Sequence, residues 1–311
     1  MEHPPISAAT TRCVVPIWGI EMDGFLHQLV AGIATGGIYA SVALSLVMIY
    51  QATHLVNFAQ GEMAMFSTYI ALTLIQAGIP YWPALLITIV VSFVAGMAIE
   101  RILMRPLAGA PVLASVGVFI GLLLAFNSLA GLIFSYTLQP FQSPFGEGPP
   151  LAGGLVSRHE LGATAVTLSM LLLVYGFFRF TSLGLAMRAA AYNPVSSRLV
   201  GVPVGRMLAL GWGLAAAIGA VAGVMVAPVV FLDPNMMSGV LLYAFAGALL
   251  GGITNPLGAV VGGFAVGVIE NLGGAYVVGT ELKLPMALVI IVTVLVLRPS
   301  GLFGRIVVSR V

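Results

Sequence analysis

The stretch THLVNFAQGEMAMFSTYIAL, residues 53–72, places His54, Asn57, Gln60 and Glu62 within nine residues of one another. An imidazole, two carboxamides and a carboxylate at this density suit proton transfer or the passage of a polar solute. Two more acids stand in apolar surroundings: Glu100, beside Arg101, and Glu270, followed by Asn271. Tyr39 and Tyr50 add hydroxyls to the apolar run before the cluster. The residues for other chemistries are missing. Cys13 is the only cysteine, which excludes an intrachain disulfide and a cysteine metal cluster. The four histidines include no pair at metal-ligand spacing. The only lysine, Lys283, does not follow a glycine, so no phosphate-binding G-x-x-x-x-G-K-[ST] loop exists. H-E-x-x-H, G-x-S-x-G and paired aspartates are absent too, which removes the carriers of the common membrane hydrolase chemistries. No cofactor and no metal are expected, and no arginine ladder suggests a voltage sensor.

The elements that position these groups follow from composition. Of 311 residues, 60% are hydrophobic and 7% charged; soluble domains carry about 25% charged residues. The chain therefore reads as an all-α polytopic membrane protein, with the lipid bilayer as its surroundings. A net charge of +2 gives no reason to expect a nucleic-acid partner. Apolar runs fall near 26–50, 57–78, 83–104, 112–134, 161–180, 207–231, 238–253, 257–279 and 285–298, giving about 8–10 transmembrane helices. The seventh and ninth are short for a full span. Residues 1–24 lack the basic start and apolar core of a signal peptide; they read as a disordered extension, with Met22 a candidate initiator. Residues 25–306 form the membrane domain and 307–311 a short tail.

Glycines recur four apart at Gly32/Gly36, Gly219/Gly223, Gly247/Gly251, Gly258/Gly262 and Gly263/Gly267, a spacing that lets helix backbones approach in lipid. Arginines set the orientation. Arg101 and Arg105 follow the third run, Arg179, Arg188, Arg198 and Arg206 flank the connection after the fifth, and Arg298, Arg305 and Arg310 follow the last. With nine crossings all fall on one side, which the positive-inside bias makes cytoplasmic. The opposite side then receives Asp233, the Glu281–Lys283 turn and the irregular, proline-bearing loop 135–160.

Glu62 lies about one turn into the second run. On a continuous helix Asn57, Gln60 and Glu62 occupy more than one face, so they converge on one pore only if the start of the run is unwound. They either line a gate or form a polar helix entrance. Glu270 and Asn271 either bond across a helix interface or line the route, and Asn127 and Asn255 are lesser candidates. Glu100 is expected to pair with Arg101 at the interface. In the connection 181–206 an Ala-rich helix should end at Asn193, before Pro194; a second turn spans 195–201, and Val202-Pro203 breaks it.

Gly36-Gly37-Ile38-Tyr39-Ala40 and Asn57-Phe58-Ala59-Gln60-Gly61-Glu62 resemble the opening of permease subunits from branched-chain amino-acid ABC importers. GLAMRAAAYNPVSSRLVGVPV, LLGGITNPLGAVVGGFAVGVIENL and LRPSGLFGR are similar to three later blocks of that family, so the resemblance spans about residues 25–306. Gln60 stands where many members have His, and Ser197-Arg198 near a usual small residue. The resemblance implies a permease that forms the translocation path by alternating access, with no enzyme activity of its own. Its implied partners are two cytoplasmic ATP-binding subunits, a second permease subunit and a periplasmic substrate-binding protein, in the bacterial inner membrane. Tyr39, Asn57, Gln60, Glu62, Glu270 and Asn271 are then candidates for the path or gate. Arg188, Ala189, Ala190, Asn193, Arg198 and Gly201 are candidates for coupling to the ATPase. Related permeases carry urea, short amides or aromatic acids. The residues alone also admit a stand-alone transporter or channel, and a membrane scaffold.

Overall fold

The computed structural model describes residues 17–53, 55–107, 109–146, 148 and 156–304, and the chain is helical almost throughout. Eleven α-helices follow one another among these residues: α1 (Ile17–Thr53), α2 (Gln60–Gln76), α3 (Tyr81–Ile99), α4 (Val112–Phe134), α5 (Arg158–Phe180), α6 (Ser182–Tyr192), α7 (Pro194–Leu199), α8 (Val204–Val230), α9 (Met237–Gly251), α10 (Pro256–Tyr276) and α11 (Lys283–Leu297). Seven of the described helical segments are long and apolar enough to cross a membrane, which makes this a multi-pass membrane protein. The helix α1 includes residues 17–24, which the sequence assigned to a disordered extension; residues 1–16 and the tail 307–311 lie outside the described residues.

Three of the nine expected crossings are short helices. At 1.5 Å per residue α2 is about 26 Å long and α9 and α11 about 22 Å each, against a hydrocarbon core of roughly 30 Å; the 3-10 turn Thr280–Leu282 extends α11 to an 18-residue apolar segment. The helices α1 and α8 form the interior, with α2, α9 and α10 packed on them. The helices α4, α5 and α11 present mostly apolar outer surfaces, as lipid-facing helices do. Burial of Trp212, Tyr69, Met65, Met225 and Met237 fills the centre.

Glycine sets the closest crossings. A methyl group added at Gly267 would stand 2.3 Å from the Gly36 Cα, and one at Gly263 would stand 2.4 Å from the Ala40 Cα. Backbone therefore rests on backbone where α1 crosses α10. Each of the five glycine pairs read from the sequence meets a neighbouring element closely, although Gly219 meets the Gln60 side chain before any backbone. By contrast, Gly117 and Gly121 on α4 face open space.

Far from the arginine-rich end, the described part of the 135–160 loop is tied down. Gln139 and Leu232 exchange both backbone hydrogen bonds at 2.8 and 3.0 Å. Tyr81, Trp82, Phe141, Phe145 and His159 form a chain of aromatic contacts beneath it. Ser157 and Glu160 close a reciprocal capping box at the start of α5. Pro228 lies inside α8, and the nearby Met225 carbonyl accepts from the His159 ring nitrogen Nε2 at 2.9 Å.

Candidate functional site: a double helix break inside the membrane

The signature stretch builds the first break. Helix α1 ends at Thr53 and α2 begins at Gln60, so Asn57 sits in irregular backbone and not on the α2 surface. Asn57 is fully buried and organises the turn itself. Its carbonyl accepts from the Gln60 N–H at 3.3 Å, its side-chain oxygen accepts from the Ala59 N–H at 3.0 Å, and its amide approaches the Met63 sulfur at 3.7 Å. Gln60, also fully buried, donates from Nε2 to the Ala215 carbonyl at 2.9 Å, while its Oε1 has no partner among the described residues. Ala215 lies roughly 16 Å along α8 from Val204. The cluster is therefore deep in the bundle, beyond the interfacial position that a span starting at residue 57 implies. His54 lies outside the described residues.

A second break meets the first. After α8 the chain turns at Phe231, which has φ of 63°, runs through 232–236, and starts α9 at Met237. A methyl group on Gly61 would lie 3.3 Å from the Met237 Cβ and 3.4 Å from the Leu241 Cβ. The first turns of α2 and α9 thus pack together at mid depth. Neither N-terminus carries a side-chain cap, so both bring open backbone N–H ends to one place, and the first turn of α2 carries the acid Glu62. Beside them opens a cavity of about 120 Å³. Leu46, Val56, Leu241, Leu242 and Phe245 give it apolar walls, and Asn57 and Ser238 supply its polar edge.

Glu62 looks away from that cavity, toward Asn127 on α4 and Asp233 in the second break. It is 7% exposed, and its Oε2 has no partner among the described residues. Asn127 donates to the Pro234 carbonyl and to the Asn235 side-chain oxygen, each at 3.0 Å, and accepts from the Tyr136 hydroxyl at 3.2 Å. Sequence reasoning placed Asp233 on an outer loop and missed its return to Glu62. The short seventh run, preceded by Asp-Pro-Asn, was the signal.

The other predicted path residues form a separate group. The Tyr39 hydroxyl donates to Glu270 Oε2 at 2.7 Å, and Lys283 Nζ lies 3.4 Å from Glu270 Oε1. Asn271 donates to the Thr35 hydroxyl at 2.8 Å and to the Gly267 carbonyl at 3.0 Å. Tyr39 stacks on Tyr243 of α9 with centroids 5.0 Å apart. Glu270 and Asn271 are thus engaged across the α1–α10–α11 interface, the first of the two alternatives read from the sequence. Asn255 caps α10, accepting from the Leu257 and Gly258 N–H groups.

Glu100 departs from expectation. It is buried in a π-helical turn, Glu100–Met104, with Arg105 and Arg101 as its charged neighbours. The expected Glu100–Arg101 ion pair is not made: among the described residues Lys283–Glu270 is the only one. The wider π turn swings the carboxylate inward and the guanidinium outward.

In the connection 181–206, α6 stops at Tyr192. Asn193 is extended, and its side chain accepts from the Ser196 N–H at 3.0 Å to start α7 at Pro194. Gly201, with φ of 84°, turns the chain toward α8. Ala190 is buried with Met187, Val204 and Met207, so it anchors α6 and lies away from the surface. Arg188, Ala189 and Arg198 are exposed. So are Tyr192 (86%), Val195, Leu199 (84%) and Val200, an apolar strip the sequence reading passed over. Its spacing of three and seven residues from Tyr192 was visible, but the intervening Asn-Pro break hid the shared face.

Comparison with known proteins gives the family. Residues 28–297 match the family described as "Branched-chain amino acid transport system / permease component". The chain is 32% identical over 309 residues to the high-affinity branched-chain amino acid transport system permease protein BraD of Pseudomonas aeruginosa, covering 94% of this chain and 99% of that one. It is 30% identical over 305 residues to the corresponding protein LivH of Escherichia coli, covering 92% and 98%. Among solved structures, PsaBC from Streptococcus pneumoniae in complex with Fab aligns with a TM-score of 0.45 and 14% identity over 90% of this chain and 92% of that one, a likeness too loose to add to the fold assignment.

Proposed function

Because the chain belongs to the branched-chain amino acid transport permease family, we propose that it is the membrane-spanning subunit of an ATP-driven importer and forms a translocation path for branched-chain amino acids. One observation carries the mechanism: two uncapped helix N-termini meet at mid depth beside an apolar cavity. Positive helix ends favour a carboxylate, apolar walls accommodate an aliphatic side chain, and the Asn57 and Ser238 side chains at the polar edge can hydrogen-bond the ammonium group. Glu62 and Asp233, which face away from this cavity, offer negative charge to the ammonium elsewhere on the path. The Asn57 and Gln60 hydrogen bonds fix the break so that these groups stay aligned. The path needs only weak binding, since a tightly held solute leaves slowly. Tyr39, Glu270 and Asn271 belong to a brace that keeps α1, α10 and α11 together.

The α6–α7 element suits docking to an ATP-binding subunit. Ala190 anchors it, Asn193 and Gly201 set its two turns, and Ala189, Tyr192, Val195, Arg198 and Leu199 form the offered surface. In this reading ATP hydrolysis belongs to two separate subunits, a second permease completes the path, and a substrate-binding protein delivers solute on the side of the 135–160 loop. The arginine-rich end then faces the cytoplasm and the membrane is the bacterial inner membrane. Co-purification followed by leucine uptake into proteoliposomes tests the whole reading. The expected result is recovery of a P-loop ATPase and uptake that requires ATP. Uptake by this chain alone, without ATP or partners, would refute it.

A further inference from the structure

Beneath α6 lies a shallow groove of about 30 Å³, bounded by Met48 and Gln51 of α1, Phe178 of α5, Met187 and Arg188 of α6, and Met207 of α8. Its floor is apolar and methionine-rich, a surface that adapts to a flexible chain. At about 30 Å³ it encloses little more than a methylene, so a longer chain lies across its floor and is not engulfed by it. Arg188 stands at its edge with no hydrogen-bond or carboxylate partner among the described residues. The surrounding end of the molecule carries Arg101, Arg105, Arg179, Arg198 and Arg206 against one nearby acid, the buried Glu100. The groove also lies where α1, α5 and α8 reach their ends, at the level of the lipid headgroups.

We propose that an anionic phospholipid seats against this groove, its phosphate on Arg188 and the upper part of one acyl chain lying across the methionine floor. Guanidinium pairs with phosphate in a bidentate geometry, and basic pockets between helices at this level select anionic headgroups. The occupant would wedge α6 against α1 and α8, so lipid composition would set the position of the element proposed to dock the ATPase. The proposal rests on membrane insertion and does not depend on the solute or on any partner.

The test uses the full chain without ATP-binding subunits, placed in nanodiscs of phosphatidylcholine and phosphatidylglycerol in equal amounts. Native mass spectrometry then counts the lipids that stay bound on release. The wild type is expected to retain phosphatidylglycerol over phosphatidylcholine by about fivefold, the equivalent of ~1 kcal/mol per arginine. Arg188→Gln should bring that ratio to one, and Arg198→Gln, remote from the groove on α7, should leave it. Gly211→Leu, which fills the groove floor and keeps every charge, should also abolish retention. Retention in the bulk ratio by the wild type would overturn the proposal and leave Arg188 to the ATPase contact alone. Undiminished preference in Arg188→Gln or in Gly211→Leu would overturn it as well.

Discussion

At the scale of single residues, Glu270 has both oxygens engaged, by Tyr39 and by Lys283, whereas Glu62 keeps one buried oxygen free. The two acids should therefore fail differently. Glu270→Gln leaves Lys283 facing a neutral amide and should lower stability by about 2 kcal/mol, the cost of a lost charged hydrogen bond in a partly exposed pair. Thermal unfolding in detergent measures this, and Glu270→Gln combined with Lys283→Met should recover some of the loss, because the stranded cation is gone. Glu62→Gln should leave unfolding and assembly unchanged and cut ATP-driven leucine uptake about tenfold, the effect of ~1.4 kcal/mol on a step that handles the ammonium. Uptake at the wild-type rate would remove Glu62 from the path. The sequence showed that these groups were exceptional but not which partners they find. Tyr39 and Glu270 are 231 residues apart in the chain, and no local pattern reports a pairing at that distance.

At the scale of elements, apolar length located each membrane helix to within a few residues except at the start of α1, which begins at Ile17, because hydrophobicity must persist wherever the chain meets lipid. Depth was not legible in the same way. The runs 57–78 and 238–253 look like crossings whether they begin at the interface or in the centre of the bundle. Only contacts such as Gly61 on Met237 distinguish the two. The glycine spacing was more informative, since a backbone contact tolerates no side chain. Gly267→Ala puts a methyl group 2.3 Å from the Gly36 backbone and should destabilise by about 2 kcal/mol through overpacking. Gly121→Ala, on open surface, should leave the unfolding temperature unchanged. A cysteine cross-link introduced between positions 61 and 237 should form readily if the two half-helix starts remain packed, and chemical oxidation followed by gel mobility would detect it.

For the whole molecule, the exposed strip of Tyr192, Val195, Leu199 and Val200 is separated from the buried break by the first part of α8, about 16 Å from Val204 to Ala215. Apolar residues at the centre of a docking surface carry most of its affinity. Tyr192→Ser together with Leu199→Ser should therefore weaken ATPase co-purification about tenfold or more. The unfolding temperature should not fall, because both side chains are in solvent. Arg198→Gln, at the rim, should change co-purification far less. The sequence reading proposed the same segment but weighted its arginines. Charge stands out in so apolar a chain, while an apolar side chain in water does not.

Helix α8 joins these regions as one rod. It starts just after the α6–α7 element, holds Gln60 through the Ala215 carbonyl, and is interrupted only near its far end by Pro228. If the proline is the pivot, Ala215 lies about 20 Å from it and Val204 about 36 Å. A sideways displacement imposed at the docking end then reaches the break reduced to roughly half. On that geometry a coarse movement at the Val204 end becomes a finer one at Ala215, the level at which Gln60 ties the start of α2 to α8.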